Sequence, residues 1–119
     1  MSQKFVIFVH AKEDEGAKAA HSLLYAKELH EAGIEVKLIF DGAGVKSLAN
    51  IATNTERPTH KLYLELKELG VIAGICEFCS TAMGVQETVL ATGIPRLNEI
   101  NGHPSIATYV KDGYTPIVM

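Results

Sequence analysis

The 119-residue chain is 47% hydrophobic and 21% charged, which suits one domain with a real core and an ordinary globular surface. Its formal net charge of -3 argues against the basic face that a DNA-binding or anionic-membrane-binding protein needs. No apolar run approaches the about 20 residues of a membrane-crossing helix, and Met1-Ser2-Gln3-Lys4 runs straight into a strand-like segment, leaving no room for a signal peptide.

Phe5 to Val9 is a continuous apolar run, as expected of a parallel strand covered on both faces. His10 to Glu13 reads as a loop. Asp14 is the expected cap of a helix reaching about Ala32, with Glu15 in its first turn. On that helix Ala19, Leu23, Ala26 and Leu29 form one stripe, opposite Lys27, Glu28 and Glu31. Ala20 and Leu24 fall toward the polar side, which implies a second edge buried in a neighbouring subunit. Gly33 ends the helix. Val36 to Phe40 is the second strand, Asp41 to Gly44 the turn after it, and Ala49 to Arg57 an exposed connection. Pro58 opens the next helix, in which Leu62, Leu66 and Leu69 repeat at helical spacing until Gly70. Val71 to Ile75 is the third strand and leads into Cys76. A short helix to Met83, another over Gln86 to Thr92, a fourth strand over Leu97 to Ile100, a helix over Pro104 to Lys111 and a last strand over Thr115 to Val118 complete the pattern. The alternation implies a single α/β domain over residues 1–119, a three-layer α/β/α arrangement with a five-stranded, mostly parallel sheet.

Reactive groups in such sheets gather at the carboxyl ends of the strands. His10, Asp41 and Cys76 fall there. Cys76 begins a helix, whose free backbone N–H groups favour a thiolate, while the adjacent Glu77 carboxylate opposes it. Cys79 lies one turn on and is placed to resolve a sulfenic acid or persulfide on Cys76. His10 is a candidate base or hydrogen-bond partner for a thiol. Two cysteines in one motif are not a secreted disulfide framework, which places the chain in the cytoplasm with its thiols reduced. A lone Cys-x-x-Cys can be half of a zinc site, but completing it would require His10, His21, His30, His60 or His103, and none has finger spacing. No metal is therefore expected. Gly42-x-Gly44 follows a strand, yet Ser47 stands where a dinucleotide loop wants a third glycine, so no nucleotide cofactor is expected either.

Taken together, Val36-Lys37-Leu38-Ile39-Phe40-Asp41-Gly42-Ala43-Gly44-Val45, then Leu69-Gly70-Val71-Ile72-Ala73-Gly74-Ile75-Cys76, and the closing Asp112-Gly113-Tyr114 resemble the DsrE/DsrF-like (YchN-like) family across nearly the whole chain. The resemblance implies a five-stranded parallel domain that assembles into trimers or hexamers. It also implies sulfur-relay chemistry, with persulfide carried on a cysteine after the third strand, the position of Cys76; Cys79 is a thiol that many members lack. The expected function is thus a sulfur carrier or sulfurtransferase-like protein. Cys76 would accept sulfur from a donor protein, Cys79 would assist its release, and His10 would orient or deprotonate a thiol, with no cofactor beyond the sulfur itself. Membership supports the fold more strongly than the reaction. A non-catalytic oligomeric scaffold and a thiol redox sensor using the Cys76–Cys79 pair are the alternatives.

Overall fold

The computed structural model describes residues 3–119; Met1 and Ser2, which open the segment read above as leaving no room for a leader, lie outside them. The elements run β1 (Lys4–Val9), α1 (Gly16–Glu31), β2 (Glu35–Phe40), α2 (Gly44–Thr53), α3 (Pro58–Glu68), β3 (Ile72–Cys76), α4 (Glu77–Ala82), α5 (Gln86–Thr92), β4 (Arg96–Leu97), α6 (Ile106–Lys111) and β5 (Thr115–Val118). The strands form one sheet in the order β4-β3-β2-β1-β5, every pairing parallel.

That order explains how the helices divide between the two faces. The connections from β1 to β4 all step in one direction across the sheet, and right-handed crossovers place their helices on one side. The connection from β4 to β5 returns past the whole sheet to the far edge, so α6 lies on the other side. Alternation along β1 follows the same division. Ile7 and Val9 pack with Ala19, Leu23 and Ala26 of α1, Val45 and Leu48 of α2, and Leu66 of α3. Val6 and Phe8 face Tyr109 of α6 and Tyr114. Each fully buried Leu, Ile or Phe contributes roughly 1.5–3 kcal/mol, so the five-helix face carries most of the core and the α6 face is a thin cover. No helix of the described residues is long and apolar enough to cross a membrane.

The expected three-layer parallel α/β architecture is found, with three differences. Of the stretch expected as an exposed connection, Ala49 to Arg57, the first five residues are the second half of α2, and only residues 54–57 form the exposed connection. That helix has Ala43 at its cap position, with no side-chain cap and no acidic residue in its first turn, so it lacks the usual starting signals; its signature is the spacing of Val45, Leu48, Ile51 and Ala52. At α1 the cap position is Glu15, not Asp14, and the Glu15 carboxylate accepts from the Lys12 N–H at 2.9 Å instead of capping the helix. The fourth strand is only Arg96–Leu97, because the chain from Ile100 to His103 folds into a tight turn. Pro58 begins α3 as expected, and Ser105 caps α6 by accepting from the Thr108 N–H.

Candidate functional site

Cys76 ends β3 and stands at the cap of α4 in extended conformation, where its sulfur accepts a long 3.4 Å hydrogen bond from the Cys79 N–H. One helical turn brings Cys79 back beside it, and the two sulfurs lie 3.0 Å apart as free thiols. Cys76 is fully buried and Cys79 retains 8% of its surface.

Asp41 approaches from the end of β2. The Gly42 N–H donates to its Oδ1 at 2.9 Å, and that oxygen lies 3.9 Å from the Cys79 sulfur. Its Oδ2 lies 3.5 Å from Nε2 of His10. His10 was expected near Cys76; it reaches the thiols only through Asp41. Gly42 explains the placement. It sits at φ 52°, and a Cβ there would come within 2.6 Å of Nδ1 of His10, so the ring lies over this turn. Gly44 is fixed by backbone packing instead, since a Cβ on it would lie 1.8 Å from the Val9 carbonyl oxygen. The Gly42-x-Gly44 pair thus makes room for the His10 ring and for the end of β1.

The imidazole beside the thiols belongs to His103. Ile100 and His103 exchange backbone hydrogen bonds of 2.9 and 2.8 Å around Asn101 (φ 49°) and Gly102 (φ 85°). This is a two-residue turn of the type that Asn-Gly favours. The Gly102 carbonyl accepts from the Phe78 N–H at 2.9 Å, and the Phe78 and His103 rings lie 4.9 Å apart, so α4 holds the turn in place. The Nδ1 of His103 is consequently 3.3 Å from the Cys76 sulfur and 4.0 Å from that of Cys79. His103 entered the sequence reading only as one of five histidines; the Asn101-Gly102 dipeptide was the signal that a turn would present it. His21 and His30 are exposed on α1, as expected of solvated residues, and His60 bonds the Ile51 carbonyl.

Burial decides the resting state of Cys76. Desolvation first, then the hydrogen bond shared with Cys79 and the nearby negative charges of Cys79 and Asp41, push its pKa up to about 12; the Cys79 N–H opposes them. Of the two opposing influences weighed from the sequence, the pull of the helix start toward a thiolate does not prevail, since one backbone donor does not replace lost water. Glu77 plays no part in this, because its carboxylate turns 3.7 Å from the Arg96 guanidinium.

The DsrE/DsrF-like family model matches residues 3–119. An uncharacterized protein, MJ0733 of Methanocaldococcus jannaschii, is 29% identical over 116 residues, covering 96% of this chain and 92% of that protein. Among solved structures, a conserved protein of unknown function, BT1422 of Bacteroides thetaiotaomicron, superposes with a TM-score of 0.72 at 19% identity, over 98% of this chain and 95% of the other. The latter likeness is one of fold.

Proposed function

We propose, for a chain that belongs to the DsrE/DsrF-like family, that it is a cytoplasmic dithiol sulfur carrier working through Cys76 and Cys79. The observation that carries this reading is the 3.0 Å separation of two free thiols at the carboxyl edge of the sheet. The order of exposure bears on their roles. Cys76 was expected to receive the sulfur, but it is wholly covered, and Cys79 is the less covered thiol. In the proposed cycle, sulfane sulfur therefore arrives on Cys79.

In the loading step the Cys79 sulfur attacks the outer sulfur of a donor persulfide. A new S–S bond forms at Cys79, the donor S–S bond breaks, and the donor leaves as a thiol after taking the Cys79 proton. Attack by an acceptor thiol on the outer sulfur of Cys79 repeats the exchange in the other direction, with no net oxidation. A second exit uses Cys76. Its sulfur attacks the inner sulfur of the Cys79 persulfide, forms the Cys76–Cys79 disulfide and expels sulfide, so that the sulfane sulfur is reduced as two thiols are oxidised. A dithiol reductant must then restore the pair. Nδ1 of His103, 3.3 Å away, takes the Cys76 proton in this step, and His10 fixes the Asp41 carboxylate beside Cys79. The test is whether the purified chain gains one sulfur atom from a small-molecule persulfide donor and yields it to an acceptor thiol.

The proposal includes self-association as a trimer or hexamer. Leu24 and Tyr25 of α1 are 47% and 50% exposed, and Ala20, Leu24, Pro58 and Leu62 line a groove between α1 and α3. This is the second apolar edge expected on the first helix.

A further inference from the structure

We propose that Asp41, Cys76, Cys79 and His103 together form a binding site for one tetrahedral zinc ion. The inference stands on donor geometry and does not depend on the sulfur-carrier reading.

Four ligand atoms, two sulfurs, one imidazole nitrogen and one carboxylate oxygen, lie within 4.8 Å of one another. They come from three separate stretches of chain: the end of β2, the β3–α4 junction and the Asn101-Gly102 turn. Four of the six pairwise separations are 3.0 Å between the sulfurs, 3.3 and 4.0 Å from His103 Nδ1 to each sulfur, and 3.9 Å from Asp41 Oδ1 to Cys79; the other two, from Asp41 to Cys76 and to His103, lie within 4.8 Å. With Zn–S of about 2.3 Å and Zn–N of about 2.0 Å, a tetrahedral centre requires S···S near 3.8 Å and S···N near 3.5 Å. The four separations given meet these distances with shifts below about 1 Å, chiefly an opening of the two thiols, and the Asp41 carboxylate closes the remaining gap by moving toward Cys76 and His103. Two thiolates and an imidazole select zinc over the hard cations, which prefer oxygen. With all four positions filled by side chains, the site is closed and has no place for a reacting water.

The surroundings are those of a supported metal site. His10 Nε2 lies 3.5 Å from Asp41 Oδ2, and the Gly42 N–H donates to Oδ1, the oxygen nearer Cys79. Such outer contacts orient a ligating carboxylate. Phe78 packs over the His103 ring and, with Gly102, fixes its tilt. In the chain only Cys76 and Cys79 are neighbours, so the half-site was legible but not which of the five histidines completes it, nor that Asp41 joins it. Zinc would occupy both thiols and so hold the pair out of sulfur exchange until a chelator or competing thiol removed it.

Cobalt(II) substitution on the full, reduced chain tests the proposal. One equivalent should give a thiolate-to-cobalt charge-transfer band and the intense visible bands of a tetrahedral centre, both displaced by zinc. Asp41→Asn and His103→Gln should each weaken zinc binding by at least about tenfold, and His10→Ala by about tenfold through the outer contact. A weak octahedral spectrum without the thiolate band overturns the proposal. So does unchanged affinity in both Asp41→Asn and His103→Gln, which would mean that the cysteine pair alone picks up metal. Should a variant fail to fold, X-ray absorption of the zinc-loaded wild-type chain decides: two sulfur and two nitrogen or oxygen neighbours support the site, and any other count refutes it. Persulfide loading of the metal-free chain is read separately by mass.

Discussion

Nδ1 of His103 stands 3.3 Å from the sulfur of Cys76, and the two are brought together by a two-residue turn held to the start of α4 by the Phe78 N–H bond to the Gly102 carbonyl and by packing of the Phe78 and His103 rings. The turn also covers Cys76, whose sulfur lies 3.8 Å from the Gly102 carbonyl. A thiol under this cover meets a reagent only when the turn moves. In the metal-free folded protein, iodoacetamide near neutral pH should therefore modify Cys79 at least about tenfold faster than Cys76, whose thiolate fraction is further suppressed by burial. Peptide mapping after brief exposure reads the ratio, and preferential labelling of Cys76 would contradict the burial described here.

The role of the turn can be separated from the general cost of a left-handed backbone. Gly93 and Gly102 have φ of 74° and 85°, but a Cβ at Gly93 meets nothing within 4 Å, whereas at Gly102 it comes within 3.0 Å of the Phe78 Cβ. Gly93→Ala and Gly102→Ala should each cost about 1–2 kcal/mol in denaturant unfolding. Only Gly102→Ala should speed alkylation of Cys76. Equal Cys76 reactivity in the two variants would show that the turn does not guard the thiol.

Buried Cys76 also gives the metal-free protein a pH dependence of definite sign. The folded thiol keeps its proton up to about 12, against an ordinary value of 9.0, so between these values the folded state binds more protons than the unfolded one. The resulting stabilisation is complete below the ordinary value and is lost as pH rises through that window, at most about 1.4 kcal/mol per pH unit. Tyr63, Tyr109 and Tyr114 are also raised, chiefly by burial, and act in the same direction at higher pH. Urea midpoints measured with a chelator present, from neutral pH to about 10, should fall more steeply for the wild type than for Cys76→Ser. Parallel curves would mean that Cys76 is not buried as a neutral thiol.

For the assembly, sedimentation equilibrium at micromolar protein should return a trimer or a multiple of it, and Leu24→Glu should shift the chain toward the monomer. A wild-type monomer would dismiss the proposed α1 interface.

Most of the fold was legible because its signals are local. The apolar run of β1, Pro58 at the start of α3 and Gly93 in left-handed conformation at the end of α5 each act within a few residues. The helix α2 was missed since its evidence lies in spacing alone, without a cap. At the site, Cys76 and Asp41 were visible as residues at strand ends, and Cys79 as a thiol one helical turn on. His103 was not, because its role depends on a turn that folds back onto α4. The charge state of Cys76 was equally out of reach, since it depends on how completely the turn and Asp41 displace water.

The most direct test of the dithiol carrier is intact mass after incubation with a persulfide donor, comparing Cys76→Ser with Cys79→Ser in chelator. Cys76→Ser should gain the mass of one sulfur atom, borne on Cys79 and transferable to an added thiol, while Cys79→Ser should gain none. Absence of the added sulfur from Cys76→Ser, or its presence on Cys79→Ser alone, would contradict the dithiol carrier.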